Sequence, residues 1–290
     1  MRFFCVDDLA PDTTIAVLRG ACEVRDIEFV HVHAHAALPG PLEPGDALYR
    51  PAVSMKAVWA ERQLWRPDTA TFHADPDGPF VTISSPVEFW ARLGLPVPRT
   101  LDPISTDRRQ LDAQVEELSG YPVIVKFQGG EGGVGVMRAD SSPALYSIID
   151  YAFAKGSRPS LSAYVPDAVH YRVTVVGDRA LTTYRNVTAA GDFRTYTSQD
   201  PDDYDLPISE ELASLAVTAT RALRLELAGV DILEHPSGRL YLLEANFPCY
   251  FATPETVAGI DVSGALVEHL MAKSARILDD LGAEQGASYP

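Results

Sequence analysis

Two segments that lie far apart in the chain carry the residue types most suited to chemistry. The first runs from Tyr121 to Met137 and places Lys126 inside an apolar predicted strand, directly before a glycine-rich loop. A lysine beside such a loop can bind a polyphosphate. The second segment runs from Gly229 to Phe247. It contains two carboxylates and one amide, at Asp231, Glu244 and Asn246.

The glycine-rich loop has five glycines in seven positions and leads into a second predicted strand, Val134 to Arg138. Its members are Gly129, Gly130, Glu131, Gly132, Gly133 and Gly135. Glycines let backbone N–H groups converge on phosphate oxygens. The loop lacks the GK[ST] end of a Walker loop, and no helix follows it as in a dinucleotide fingerprint. A structural turn is the alternative, but a lysine within an apolar strand is costly unless it meets an anion. We therefore predict a hairpin that closes over phosphates.

The acidic segment predicts a metal site. Glu244 and Asn246 are two residues apart on a predicted strand, so their side chains share one face. Asp231 lies on the partner strand of the predicted hairpin, and these oxygens are the ligands that Mg²⁺ prefers. Solvated acids are the alternative, but the strand is apolar on both sides of Glu244. Together the two segments predict an enzyme that uses ATP.

Two arginines and three histidines are further candidates. Arg172 and Arg194 are predicted to bind anions, because a guanidinium matches a carboxylate or phosphate with two donors. A surface ion pair is the alternative for both, and above all for Arg194. His31, His33 and His35 alternate along a predicted strand and could bind a transition metal from one face. A strand end that enters a loop is the more common reason for such a pattern.

Composition excludes several classes of partner. The 290 residues carry a net charge of −16, which argues against nucleic acid and anionic membranes as partners. No apolar run approaches the roughly 20 residues that span a bilayer, and the first residues do not resemble a signal peptide. The three cysteines form no CxxC pair. We therefore expect a cytoplasmic protein with free thiols.

Element prediction gives a mixed α/β chain. We predict a helix over Thr13 to Gly20 with Asp12 as its N-cap, and a last helix over Gly264 to Ala275. The acidic run Asp200 to Asp205 is predicted to be a solvated loop. The aromatic cluster in the segment Phe247 to Phe251 either packs the last helix or narrows a substrate pocket.

Five motifs occur in an order that resembles the ATP-grasp superfamily and, within it, the RimK-like carboxylate–amine ligases. They are Lys126 with GGEGGVGV, then HYRVTVVGD, GDFR, AGVDIL and LEAN. The stretch ARLGLPVPRT also looks like that subgroup. The resemblance runs from about Val87 to about Asn246.

The resemblance implies a three-domain ATP-grasp fold with ATP between the central and C-terminal α+β lobes. The domains would be residues 1–82, a pre-ATP-grasp α/β domain, then 83–162 with the glycine loop, then 163–290 with the metal site. Family members often form dimers or tetramers, so a homo-oligomer is expected.

The resemblance also implies roles for single residues. Lys126 and the loop Gly129 to Gly135 would hold phosphates, and Arg172 would contact the transferred phosphate or the acyl group. Arg194 would lie near the acceptor site. The adenine-reading hinge would be Ala163, Tyr164 and Val165. The ligands of one or two Mg²⁺ ions, or of Mn²⁺ as a substitute, would be Asp231, Glu244 and Asn246.

Three positions depart from the family pattern. Ala163 stands where the hinge usually has a glutamate, and His170 stands where an aspartate is often placed for ribose. The earlier ATP lysine, expected near residue 83, has no counterpart, and Lys56 is far upstream.

The implied function is ATP-dependent joining of a small-molecule carboxylate to an amine, or to a peptide, through an acylphosphate with release of ADP and phosphate. Three alternatives stay open at this point. They are an intramolecular cyclo-ligase, a small-molecule kinase and a non-catalytic nucleotide-binding regulator.

Overall fold

The structure is a computed structural model that describes residues 1–74, 86–127, 133–204 and 206–287. The described residues form three separate sheets, whose strands come from residues 2–49, 100–163 and 169–246. The α/β prediction is therefore confirmed, while the domain boundaries 1–82, 83–162 and 163–290 stay a prediction. Within these ranges, none of the helices combines the length and the apolar character needed to cross a membrane.

The first sheet is parallel, with strand order β2-β1-β3. Its elements are β1 (Arg2–Asp7), α1 (Asp12–Glu23), β2 (Glu28–His33), β3 (Ala47–Tyr49) and α2 (Met55–Leu64). The prediction that Asp12 caps the first helix is wrong, because Pro11 holds the N-cap position and Asp12 is the first helical residue. At this position its carboxylate interacts favourably with the positive end of the helix dipole.

The second sheet has strand order β4-β7-β5-β6. Its region contains α3 (Val87–Arg92), β4 (Thr100–Leu101), α4 (Arg108–Glu117), β5 (Val123–Lys126), β6 (Val136–Ala139), α5 (Ser142–Ala154) and β7 (Ser160–Ala163). Val123 and Val125 of β5 pack in one buried cluster with Leu111 of α4 and Leu145 of α5. Both helices therefore cover this sheet and fix the strand that carries Lys126.

The third sheet has strand order β10-β9-β8-β11-β12. Its elements are β8 (Val169–Val176), β9 (Arg179–Thr188), β10 (Thr195–Thr197), a 3₁₀ turn (Pro201–Asp203), α6 (Glu210–Ala222), β11 (Leu227–Glu234) and β12 (Leu240–Asn246). Val230 and Ile232 pack against Leu212 and Ala216 of α6. Because side chains alternate along a strand, Asp231 faces the opposite side of the sheet.

A β-bulge in β12 decides where its polar residues point. Asp231 pairs with Glu244, but the next residue, Ile232, pairs with Leu242, so Leu243 is an extra residue in the ladder. Leu242 and Ala245 both face the buried cluster under α6. A regular strand would place Glu244 on the same face as Leu242. The bulge instead turns Glu244 and Asn246 to the face of Asp231.

The chain after β12 packs against the first sheet. It forms α7 (Ala252–Ala258) and α8 (Val262–Ala287), so the last helix is longer than predicted and a short helix precedes it. Phe247 and Phe251 are 1% and 0% exposed and share a buried cluster with Leu266 of α8. The packing interpretation of these two aromatics is therefore confirmed, whereas Tyr250 is 40% exposed.

The acidic run before α6 also differs from its prediction. Asp203 is buried, since its side chain accepts hydrogen bonds from Arg185 and from the Ser198 hydroxyl. A charged partner and a hydroxyl offset the cost of removing this carboxylate from water. Of the rest of the run, Asp205 lies outside the described residues.

Candidate active site

Three charged residues stand side by side across the third sheet. Asp231 on β11 is the register partner of both Arg172 on β8 and Glu244 on β12. All three lie on the face that α6 leaves open. We call Arg172, Asp231 and Glu244 the charged row. The sequence prediction that these residues act together is consistent with this placement, because the sheet sets them one strand apart.

Arg172 and Asp231 form a two-point contact. Arg172 Nε donates to Asp231 Oδ1 at 2.7 Å, and Nη2 donates to Oδ2 at 2.5 Å. Asp231 is only 2% exposed. Burial by itself would raise the pKa of Asp231, but the guanidinium outweighs it and holds that pKa well below its usual range. The guanidinium therefore holds Asp231 in its anionic form, the form in which a carboxylate binds a cation.

Glu244 and Asn246 complete an oxygen-rich group. Asn246 Nδ2 donates to Glu244 Oε1 at 2.9 Å, and Arg172 Nη2 lies 3.6 Å from the same oxygen. Burial, followed by the neighbouring charge of Asp231, raises the pKa of Glu244. Asn246 uses its amide nitrogen in this contact, so its amide oxygen is the atom that can act as a ligand. Two carboxylates and one amide oxygen suit Mg²⁺.

Lys126 is the last residue of β5, in the second sheet. Burial lowers the pKa of Lys126, while the carboxylates of Glu244 and Asp231 act in the opposite direction and favour the ammonium. The lysine is therefore close enough to Glu244 and Asp231 for their charges to act on it from another sheet. An ammonium in this position can bind a ligand anion held between the two sheets.

The described part of the glycine loop is a hairpin, as predicted. Strands β5 and β6 are antiparallel, with Lys126 opposite Val136, and Phe127 N donates to Gly135 O at 2.9 Å. Gly133 and Gly135 have φ of +78° and +80°, a region in which glycine avoids the strain of a side chain. The predicted phosphate-binding residues Gly129, Gly130, Glu131 and Gly132 lie outside the described residues.

Comparison with known families decides the identity of this arrangement. The family model described as the RimK-like ATP-grasp domain matches residues 85–270. This chain belongs to the RimK-like ATP-grasp family. The matched range includes the charged row, Lys126 and the described part of the glycine hairpin. The resemblance drawn from the sequence motifs is therefore confirmed.

Curated relatives of this RimK-like chain carry ligase names. A protein of Picosynechococcus sp. named "Probable alpha-L-glutamate ligase" is 28% identical over 191 residues, which is 65% of this chain and 62% of the relative. A protein of Pseudoalteromonas atlantica, named "Probable alpha-L-glutamate ligase 2", is 27% identical over 187 residues, which is 64% of this chain and 61% of the relative. The chain thus spans about three fifths of the length of these relatives.

Solved structures confirm the ATP-grasp fold over nearly the whole chain. The ATP-grasp ligase PsnB, solved with a minimal precursor, superposes with a TM-score of 0.69 and 18% identity, covering 94% of this chain and 99% of that chain. At this identity the likeness concerns the fold alone.

Arg194, which the RimK-like resemblance assigns to the acceptor site, is held by Asp192. Its Nη2 donates to Asp192 Oδ2 at 2.8 Å, and Tyr196 Oη donates to the same oxygen at 2.7 Å. A Cβ on Gly133 would lie 3.3 Å from Arg194 Cδ. The structure therefore brings Arg194 to the glycine hairpin. Sequence reasoning missed Asp192, although its position two residues before Arg194 in the GDFR motif is a signal.

His170 and the hinge are the remaining RimK-like positions. His170 lies beside Asp231, with Nε2 3.3 Å from Oδ1, and its Nδ1 contacts the Thr195 hydroxyl. Ala163 ends β7, and its N–H donates to Arg99 O at 2.8 Å. Residues 164–168, including Tyr164 and Val165, connect the second sheet to the third. Their roles toward ribose and adenine stay a prediction.

Proposed function

We propose that this chain is an ATP-dependent carboxylate–amine ligase that forms an amide or peptide bond through an acylphosphate and releases ADP and phosphate. The charged row carries this proposal, because it sets a fixed guanidinium beside two carboxylates while Lys126 faces them from the other sheet. Membership of the RimK-like family and the ligase names of its curated relatives support it.

The donor set fits the cofactors that this reaction needs. Asp231, Glu244 and Asn246 would hold one or two Mg²⁺ ions, with Mn²⁺ as a substitute of similar ligand preference. Lys126 and the glycine hairpin would hold the phosphates of ATP. When bound, ATP supplies the phosphoryl group that activates the carboxylate, and Mg²⁺ reduces the negative charge of the phosphates.

The remaining polar groups would orient the substrates. The contact with Asp231 uses Nε and Nη2 of Arg172, so Nη1 is the end of the guanidinium available to a substrate oxygen. Arg172 would thereby stabilise the negative charge that develops when an amine attacks the activated carbonyl. Asp231 fixes the direction of that guanidinium, and Arg194 would bind the acceptor. The glycine hairpin would exclude water from the acylphosphate.

Substrate classes follow from the relatives only as proposals. The names of the curated relatives make L-glutamate the first amine to test. PsnB was solved with a precursor, so a peptide is the second class to test. The three cysteines are free and buried, which fits a reducing cytoplasm. We also propose that the chain forms a homo-oligomer.

The test is a screen for ADP release over paired pools of carboxylic acids and amines, with product identification by mass spectrometry. We expect ADP and phosphate only when acid and amine are both present. With the acid alone, hydroxylamine should trap the acylphosphate as a hydroxamate. A product in which one molecule supplied both groups would assign the cyclo-ligase. AMP with pyrophosphate, or a phosphorylated product stable to hydroxylamine, would overturn the proposal.

Two variants tie the activity to the site. Lys126→Met removes the ammonium that faces the carboxylates, and we expect kcat/KM to fall on the order of 10²- to 10³-fold. Lys155→Met removes an exposed lysine at the end of α5 and should leave the activity unchanged. Equal activity of the two variants would show that the lysine on β5 takes no part in the reaction.

A further inference from the structure

The first sheet brings two histidines and one aspartate together at its carboxyl edge. Asp7 is the last residue of β1 and the register partner of His33 on β2. His31 lies two residues before His33, so both imidazoles are on one face of the strand. We call Asp7, His31 and His33 the edge cluster.

The two distances from Asp7 in the edge cluster are close to those between ligand atoms around a small metal ion. Asp7 Oδ2 lies 3.2 Å from His31 Nε2 and 3.8 Å from His33 Nδ1. One ligand atom from each residue lies within 4.8 Å of the other two. In a tetrahedral site with bonds of roughly 2.0–2.1 Å, neighbouring ligand atoms are about 3.3 Å apart. The two distances from Asp7 Oδ2 lie within about 0.5 Å of this spacing, and the two imidazole nitrogens lie within 4.8 Å of each other.

The aspartate is held in place for this role. Its Oδ1 accepts a hydrogen bond from Ala10 N at 2.8 Å, which leaves Oδ2 directed at both imidazoles. The Asp7 side chain is 11% exposed, while that of His33 is 62% exposed. The cluster thus has a fixed, buried anion on one side and an open position toward solvent on the other. Outer hydrogen bonds of this kind orient metal ligands.

A plain Asp7–His31 hydrogen bond explains only part of the cluster. It does not explain a second imidazole whose ring centre lies 4.2 Å from that of His31 while its nitrogen approaches the same carboxylate oxygen. His35, which follows β2, has different surroundings. It contacts Asp8, and Lys56 Nζ lies 3.2 Å from its Nδ1. A neighbouring ammonium opposes metal binding, so His35 is a matched control.

We propose that the edge cluster is a binding site for one divalent transition-metal ion of the Zn²⁺ type. Two imidazole nitrogens and one carboxylate oxygen favour Zn²⁺, Co²⁺ or Ni²⁺ over Mg²⁺. The open position would hold water or an oxygen or nitrogen atom of a small molecule. This site is distinct from the oxygen donors Asp231, Glu244 and Asn246, and it does not depend on the proposed ligase activity.

The experiment uses the full chain without an affinity tag, freed of metal with a chelator and without nucleotide. The protein is dialysed against Zn²⁺ in the presence of excess Mg²⁺, and bound zinc is measured by mass spectrometry. We expect one zinc per chain. Replacement by Co²⁺ should give the visible absorption bands of a cobalt ion bound to nitrogen and oxygen.

Variants locate the ion. His33→Ala and His31→Gln should each weaken zinc binding about 100-fold or more and abolish the cobalt bands. His35→Ala and Glu244→Gln should keep both. His33 is exposed, so its variant should fold normally, and circular dichroism checks this. The proposal is overturned if the wild-type protein binds no zinc, if His33→Ala keeps zinc and an unchanged cobalt spectrum, or if Glu244→Gln alone loses the ion.

Discussion

The guanidinium of Arg172 donates two hydrogen bonds to the carboxylate of Asp231 on the neighbouring strand, from Nε at 2.7 Å and from Nη2 at 2.5 Å. The carboxylate is almost fully buried. Asp231→Ala would leave the guanidinium without its main partner, so we predict a loss of about 3–5 kcal/mol in the free energy of unfolding, measured by urea denaturation. Arg172→Ala should cost a similar amount, and the double variant should cost clearly less than both together.

The exposed pair Arg99–Glu117 is the control for this cycle. Its side chains are 59% and 45% exposed, so its removal should cost less than about 1 kcal/mol. If the Arg172–Asp231 cycle gave a coupling as small as that of the exposed pair, the two-point contact would not be a stabilising feature of the ligand-free protein.

A comparison of Gly133 with Gly156 distinguishes the need for a positive φ from the need for space beside Arg194. Gly133 and Gly156 both have positive φ, so replacing either by alanine should cost about 1–2 kcal/mol of stability. A Cβ at Gly156 would meet no atom within 4 Å, whereas a Cβ at Gly133 would lie 3.3 Å from Arg194 Cδ, which is closer than an ordinary van der Waals contact. We expect only Gly133→Ala to weaken binding of a non-hydrolysable ATP analogue, about tenfold by calorimetry. Equal affinity of both variants would contradict a role for this contact.

Glu244 gives a prediction about pH. Its pKa is raised in the folded protein, chiefly by burial, above the ordinary value of 4.5. The folded state therefore holds this proton more tightly, and stability is lost as pH rises from the ordinary value through the raised one. Glu244→Gln has no such loss. Its stability relative to wild type, without Mg²⁺ and nucleotide, should therefore increase between pH 4 and neutral pH.

The size of this pH effect should be small. The Glu244 side chain keeps 35% of its surface exposed, so solvent screening should limit the gain to below about 1 kcal/mol. Urea denaturation at several pH values measures the difference. A stability difference between Gln and wild type that stays constant with pH would show that the carboxyl group titrates as it does in the unfolded chain.

A pair of deletions tests the β-bulge. Removing Leu243 makes the ladder regular and still leaves Glu244 opposite Asp231, since Leu243 is the extra residue. We expect this variant to lose some stability and to bind the ATP analogue within a few-fold of wild type. Removing Ala245 moves Asn246 to the core face, so binding should fall below detection. Loss of binding in the first deletion but not in the second would overturn this account of the bulge.

The local features of the site could be predicted from the sequence. Lys126, the glycine hairpin and the shared face of Glu244 and Asn246 depend on neighbours only a few residues apart. The bulge could not be predicted in this way. Leu240, Leu242 and Glu244 have the same parity, and only the pairing of β12 with β11 shows that the carboxylate does not follow the leucines into the core.

Long-range partners were hidden for the same reason. The run of aspartates predicts a solvated Asp203. Its partner Arg185 lies on a strand earlier in the chain, so the acidic run itself does not reveal the contact. The three alternating histidines gave no sign that Asp7 lies opposite His33 and that His35 lies beyond the strand. Pairing between strands is set by the packing of the whole sheet, and a single sequence records it weakly.

The charged row and Lys126 also determine how ions enter the site. Among the residues that the structure describes there, two cationic side chains face two carboxylates, so the ligand-free site is close to electrically neutral. The site therefore offers no strong excess of opposite charge to a free divalent cation or to a free nucleotide polyanion. Each ligand supplies the countercharge that the other needs, so their binding free energies are coupled, and each should bind more tightly when the other is present.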